Sequence, residues 1–186
     1  MKLVFYLAVS ILTNVSLGLA DDVSAKSQET TASRVGTFPK LTASNLEKQT
    51  LSLPEDFAGD RNLLLIAFQR EQQKEVDTWL HGMKRFELLP NFRYYELPTI
   101  DKLNPISRWF IDTGMRHGIP DRDARARTIT LYIDKLSFRK ALNLPDEKKI
   151  YALLVDRSGR VLWRAEGVFD EGKASSLQTV LGLENP

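Results

Sequence analysis

With 186 residues, 42% of them hydrophobic and 27% charged, the chain has the composition of an average globular protein, long enough for one ordinary domain and an appendage. Twenty-six Lys and Arg against twenty-four Asp and Glu leave a net charge of +2, too small a surplus to point to nucleic acid. The absence of cysteine excludes disulfides, thiolate metal sites and cysteine nucleophiles.

Residues 1–20 read as a secretory signal peptide. Lys2 is a short positive region, Leu3 to Leu12 is an apolar run shorter than a membrane span, and Gly18-Leu19-Ala20 offers small residues for cleavage before Asp21. An uncleaved anchor is the alternative. The expected location is therefore exported, in the periplasm or outside the cell. Asp21 to Gly36 is polar with few large apolar residues, which predicts a flexible linker over 21–37 and a folded domain over 38–186.

Short strands and turns are expected from Phe38 onward, with Leu51 and Leu53 on one side of a half-buried strand. Leu63 to Phe68 is continuously apolar, as in a strand covered on both faces. A helix is predicted from Glu71 to Phe86, with Val76, Trp79, Leu80, Met83 and Phe86 on its apolar side. Phe92 to Leu97 is the next strand. Asn104-Pro105 then supplies an N-cap and a first helical residue, opening a helix with Ile106, Trp109 and Phe110 facing inward and an end near His117 to Pro120. Asp121 to Arg127 reads as a charged loop, and Thr128 to Asp134 as a strand with Ile129, Leu131 and Ile133 on one face and the threonines and Tyr132 on the other. A short helix with Phe138 and Leu142 precedes the strand Tyr151 to Val155. The turn Asp156 to Gly159 leads to a returning strand, Val161 to Glu166. Asp170 caps a last helix with Ala174, Leu177, Val180 and Leu181 inside, ending at Gly182.

Apolar strands joined by crossover helices, closed by a hairpin and a helix, predict an α/β fold. The expected form is a thioredoxin-like three-layer sandwich, a central mixed sheet flanked by helices, with a mid-chain insertion and an N-terminal extension. Phe38-Pro39, Leu51 to Pro54, Phe57-Ala58-Gly59 and Leu64 to Phe68 resemble the lead-in of peroxiredoxins and periplasmic thioredoxin-like reductases. Ser137-Phe138-Arg139-Lys140 and Trp163-x-Ala165-x-Gly167 resemble the mitochondrial ATP-synthase assembly factors of the ATPase complex subunit ten type. In that family an aromatic residue stands where this chain has Ser137, and a transit peptide stands where this chain has its secretory leader. The resemblance spans roughly Phe38 to Leu183. It implies a thioredoxin-like fold without the cysteine pair, a protein partner embedded in a membrane, and no catalytic residues to carry over.

Thioredoxin-like redox proteins place their reactive cysteines where such a strand runs into a helix. Here Gln69, Arg70, Glu71, Gln72 and Gln73 occupy that turn, and none of them exchanges a disulfide. Ile150 stands before the Tyr151 strand, where thioredoxins carry a cis-proline. Gln69, Arg70, Glu71 and Gln72 are the first candidate binding residues, because backbone N–H groups at a helix start favour an anion or a peptide carboxylate. The plain reading of the same turn is a solvated, retired site. Arg122, Arg125, Arg127 and Arg139 are a second candidate set, a basic rim for an acidic partner; the plain reading is a solvated charged face. His81 and His117 stand far apart without metal-ligand spacing, so neither metal nor cofactor is expected. The expected function is an exported, redox-inactive binding or assembly factor. The alternative is a cysteine-independent enzyme of the same fold, peroxidase-like or transferase-like.

Overall fold

Five consecutive buried residues, Asn62 to Ile66, put strand β3 (Arg61–Ala67) in the middle of the protein. The structure is a computed structural model that describes residues 36–183. The predicted leader and nearly all of the predicted linker lie outside the described residues. Seven strands form one sheet in the order β2-β1-β5-β4-β3-β6-β7. The other six are β1 (Leu41–Asn45), β2 (Thr50–Leu53), β4 (Phe92–Asp101), β5 (Ile129–Ile133), β6 (Tyr151–Val155) and β7 (Val161–Glu166). β4 runs parallel to β3 and β5, and all other neighbours are antiparallel. The helices are α1 (Gln73–Gly82), α2 (Pro105–Gly118), α3 (Arg122–Arg127), α4 (Lys135–Ala141) and α5 (Glu171–Val180).

Alternation along β3 builds two cores from one apolar run. Leu64 and Ile66 point to a core completed by Phe38, Phe57, Leu153, Val155 and, from α4, Phe138. Leu63 and Leu65 point to the other, completed by Val76 and Trp79 of α1, Leu154, Trp163 and Leu177 of α5. A strand that feeds both faces has no polar side, which is why its sequence reads as continuous rather than alternating. Trp79 is fully buried, donates from Nε1 to the Gly167 carbonyl at 2.8 Å, and meets Trp163 and Phe169 edge-on. A side chain at Gly82 would sit 2.1 Å from the Phe169 ring, so the absence of one lets that ring close over the end of α1.

The predicted helix over Glu71 to Phe86 is three pieces: a 3₁₀ turn at Arg70–Gln72, α1, and a second 3₁₀ turn at Met83–Phe86. The expected charged loop at Asp121 to Arg127 is helical. The Asp121 carboxylate accepts from the N–H groups of Asp123 and Ala124, a short N-cap masked in the sequence by the charges around it. Thr128 and Thr130, on the face of β5 opposite Ile129 and Leu131, are buried as well. β5 has a partner on each edge, and α2 meets its second face through Tyr132.

The main correction concerns α2. Ile106, Trp109 and Phe110 were expected inside, and they are 70%, 58% and 64% exposed. No residue of α2 is buried. The strands beneath it present Thr42, Ser44, Thr130 and Tyr132, a polar surface that matches the charged side of the helix. Arg108 lies over the Tyr132 ring at 5.0 Å, Asp112 accepts from the Tyr132 hydroxyl at 2.8 Å, and Arg116 donates to the Leu46 carbonyl at 2.8 Å. Trp109 is therefore neither a core nor a sheet-face residue. Val180, expected inside α5, is 40% exposed.

The two tryptophans predict opposite outcomes. Trp79→Ala is expected to cost about 3–5 kcal/mol, and Trp109→Ala less than about 0.5 kcal/mol, by urea denaturation.

Candidate functional site

The strand-to-helix junction after β3 is closed by one side chain. Gln69 is extended, with φ −137° and ψ 146°, and starts the turn that leads into α1. Gln72 is 3% exposed. Its Oε1 accepts from the Phe68 N–H at 2.8 Å and the Gln69 N–H at 3.2 Å, and its Nε2 donates to the Glu147 carbonyl at 2.8 Å. The carboxamide thus ties the end of β3 to the connection between α4 and β6. Three hydrogen bonds satisfy a group whose burial would otherwise be costly.

Further bonds hold the far side of this clasp. The Glu147 carboxylate accepts from Lys135 at 2.7 Å and lies 3.2 Å from Nε of Arg139. The hydrogen bond to Glu147 raises the pKa of Lys135 above the ordinary lysine value. The Tyr151 hydroxyl bonds to the Asp146 carbonyl at 3.2 Å, and burial pushes its phenol up. Ile150, immediately before β6, is fully buried in the α1 core.

Of the four residues proposed at this turn, three face solvent and one does not. Gln69, Arg70 and Glu71 are exposed, while Gln72 points inward. The N–H groups of Phe68 and Gln69 already have Gln72 as acceptor. What remains outside is a short ridge of carboxamide, guanidinium and carboxylate, groups that form hydrogen bonds and ion pairs and do not exchange disulfides.

The proposed basic rim is distributed over three places. Arg125 bonds to Glu47 at 2.6 Å, and Arg122 and Arg116 stand 3.5 Å from the same carboxylate. The Arg125 bond, with the other two cations, holds the Glu47 carboxyl below the ordinary carboxylate value. Arg127 lies over the Tyr94 ring at 4.6 Å, near Glu96, whose pKa is raised by burial. Arg139 belongs to the Glu147 clasp and donates to the Pro145 carbonyl. His81 and His117 each place Nδ1 2.7 Å from the carbonyl four residues back, near the end of a helix. Among the described residues no group of three or more His, Asp or Glu side chains has the arrangement of a metal site.

One polar cavity was not foreseen. β1 and β5 pair only at Ser44 with Thr130 and Asn45 with Ile129. Beside that short ladder lies a space of about 180 Å³, lined by Thr42, Ser44, Thr130, Tyr132, Arg108 and Asp112 among others. The Thr130 hydroxyl is buried there without a hydrogen-bond partner among the described residues. Burial, reinforced by Asp112, pushes the Tyr132 phenol far up. The alternating hydroxyls Thr42-x-Ser44 and Thr130-x-Tyr132 were the available sequence signal.

No family model matches the sequence, and no curated protein matches it. Solved structures do resemble it. The thioredoxin domain of a thiol-disulfide oxidoreductase from Bacteroides vulgatus is 17% identical with a TM-score of 0.52, covering 78% of this chain and 96% of that one. BsSco, of the Sco family of cytochrome c oxidase assembly proteins, is 14% identical with a TM-score of 0.54, covering 80% and 95%. The exposed lipoprotein thioredoxin of Streptococcus pneumoniae is 12% identical with a TM-score of 0.52, covering 78% and 100%. At these identities the similarity establishes the fold: this is a thioredoxin-like α/β protein, and its sequence contains no cysteine. Among the described residues no helix is long and apolar enough to cross a membrane.

Gln72→Leu leaves the Phe68 and Gln69 N–H groups and the Glu147 carbonyl without their partner. The expected loss is about 2–4 kcal/mol in urea denaturation, well above the effect of Gln69→Leu on the exposed side of the same turn.

Proposed function

We propose that this protein is a redox-inactive binding or assembly factor of thioredoxin-like fold, exported by its leader, with a membrane complex such as ATP synthase as its client. The observation that carries the proposal is the closed junction. Where thiol-disulfide oxidoreductases of this fold hold reactive sulfur, a buried carboxamide joins two connections of the sheet. A site organised this way offers a contact surface and no redox group.

Two features support an assembly role. BsSco, similar in fold, is a member of the Sco family of cytochrome c oxidase assembly proteins. The motifs that resemble those of the ATP-synthase assembly factors also have physical work in this fold. Trp163 donates from Nε1 to the Ser176 hydroxyl at 2.8 Å, and Gly167 turns the chain at φ +70° while its carbonyl receives Trp79. The exposed ridge Gln69, Arg70 and Glu71 is the proposed contact.

Affinity capture with the full chain from native membranes tests the reading. The expected result is recovery of subunits of one membrane complex, lost on Gln69→Ala/Arg70→Ala/Glu71→Ala, together with no turnover in peroxidase or disulfide-exchange assays. Clear turnover in either assay would overturn it.

A further inference from the structure

Two opposite charges face the polar space beside the β1–β5 ladder. Arg108 and Asp112 stand at i and i+4 of α2, on the side of the helix that meets the sheet. The strands contribute Thr42 and Ser44 of β1 and Thr130 and Tyr132 of β5, with Ser44 directly opposite Thr130 in the ladder. Neither Arg108 nor Asp112 forms an ion pair among the described residues.

Each charge is held in place and only partly used. Nε of Arg108 donates to the Leu103 carbonyl at 2.8 Å, and the guanidinium lies over the Tyr132 ring at 5.0 Å. Its two terminal nitrogens have no acceptor among the described residues, and their N–H groups form a fork suited to a carboxylate. Oδ1 of Asp112 accepts from the Tyr132 hydroxyl at 2.8 Å, and its second oxygen has no donor among the described residues. The Tyr132 phenol, its pKa pushed far up, stays protonated through the neutral range and so remains a donor to that carboxylate. Thr130 is 3% exposed, and its hydroxyl has no hydrogen-bond partner among the described residues. Folded proteins seldom bury such a group without a partner.

Charge and volume select the ligand. One cation and one carboxylate offset each other, so a plain anion meets repulsion from Asp112 and a plain cation from Arg108. Ala43 is the one apolar residue of the lining, and Arg108 covers the Tyr132 ring. A neutral polyol therefore finds no apolar platform and trades bonds with water for bonds of the same kind. A dipolar molecule gains a charge-assisted hydrogen bond at each end. The space of about 180 Å³ takes about six to eight non-hydrogen atoms, each occupying roughly the volume of a water.

We propose that this space binds a small zwitterion of the free α-amino-acid class, its carboxylate on the Arg108 fork and its ammonium group on the Asp112 carboxylate, with the hydroxyls of Ser44 and Thr130 beside them. β4 separates β5 from β3, so the site is distinct from the ridge at Gln69, Arg70 and Glu71, and the proposal goes beyond client binding.

L-Serine has the required size and both charges. Glycerate lacks the ammonium group, and ethanolamine lacks the carboxylate. Each is titrated into the full chain by isothermal calorimetry. The expected result is one saturable site for L-serine with Kd at or below about 1 mM, and at least about tenfold weaker binding of glycerate and of ethanolamine. Asp112→Asn keeps an acceptor for Tyr132 and removes the charge, and it should weaken L-serine binding about tenfold or more. Ser44→Leu fills the space from an exposed position. It should abolish L-serine binding with the circular-dichroism melt unchanged, which keeps the test decisive if Asp112→Asn lowers stability. Absence of saturable L-serine binding up to about 10 mM would mean that the space holds water alone, and would overturn the proposal. Equal affinity for glycerate or ethanolamine, or binding untouched by Ser44→Leu, would overturn it too. Failure to capture a client protein would leave this titration intact, so the two readings fail separately.

Discussion

The three hydrogen bonds of the Gln72 carboxamide set the character of this molecule. β3 delivers Phe68 just past its C-terminal end, and α1 begins five residues later at Gln73. Two backbone N–H groups and one carbonyl meet there in a nearly dry site, and a buried backbone group without a partner costs on the order of 1–3 kcal/mol. A single side chain serves all three. The same contact joins the α4–β6 connection to the central strand, so the geometries of the two connections depend on each other.

This arrangement separates scaffold from chemistry. The two cores rest on alternation along β3 and on burial of Trp79 and Trp163, which involves no reactive group. The packing on either side of the sheet therefore needs no redox chemistry at the turn. The polar side of the molecule is organised differently. Glu47 gathers Arg116, Arg122 and Arg125, Glu147 gathers Lys135 and Arg139, and Arg127 rests on Tyr94. Much of the positive charge that reads as a rim in the sequence is therefore committed to local pairs, and the surface left for contact is narrower than residue counts suggest.

The sheet and its two cores were legible because burial on both faces leaves an unmistakable apolar run at Leu63 to Ile66, and because Asp170 and Asn104 are strong cap residues that both serve as expected. The orientation of α2 was not legible. An amphipathic pattern fixes that a helix has two sides, and the side that faces inward is decided by the surface beneath it, here the hydroxyls of β1 and β5. The inward turn of Gln72 was hidden for a related reason: its partner Glu147 is seventy-five residues away, and the bond goes to a backbone carbonyl that any residue could supply. The cavity beside Thr130 depends likewise on where the β1–β5 ladder stops, which no single strand records.

Amide hydrogen exchange at Phe68 addresses the closed junction most directly. Its N–H lies at 7% residue exposure and 2.8 Å from the Gln72 oxygen. The account predicts protection comparable to Leu64 and Leu65 in the centre of β3, with exchange only through global unfolding. Exchange of the Phe68 amide at the rate of an open loop, with the β3 centre still protected, would contradict it.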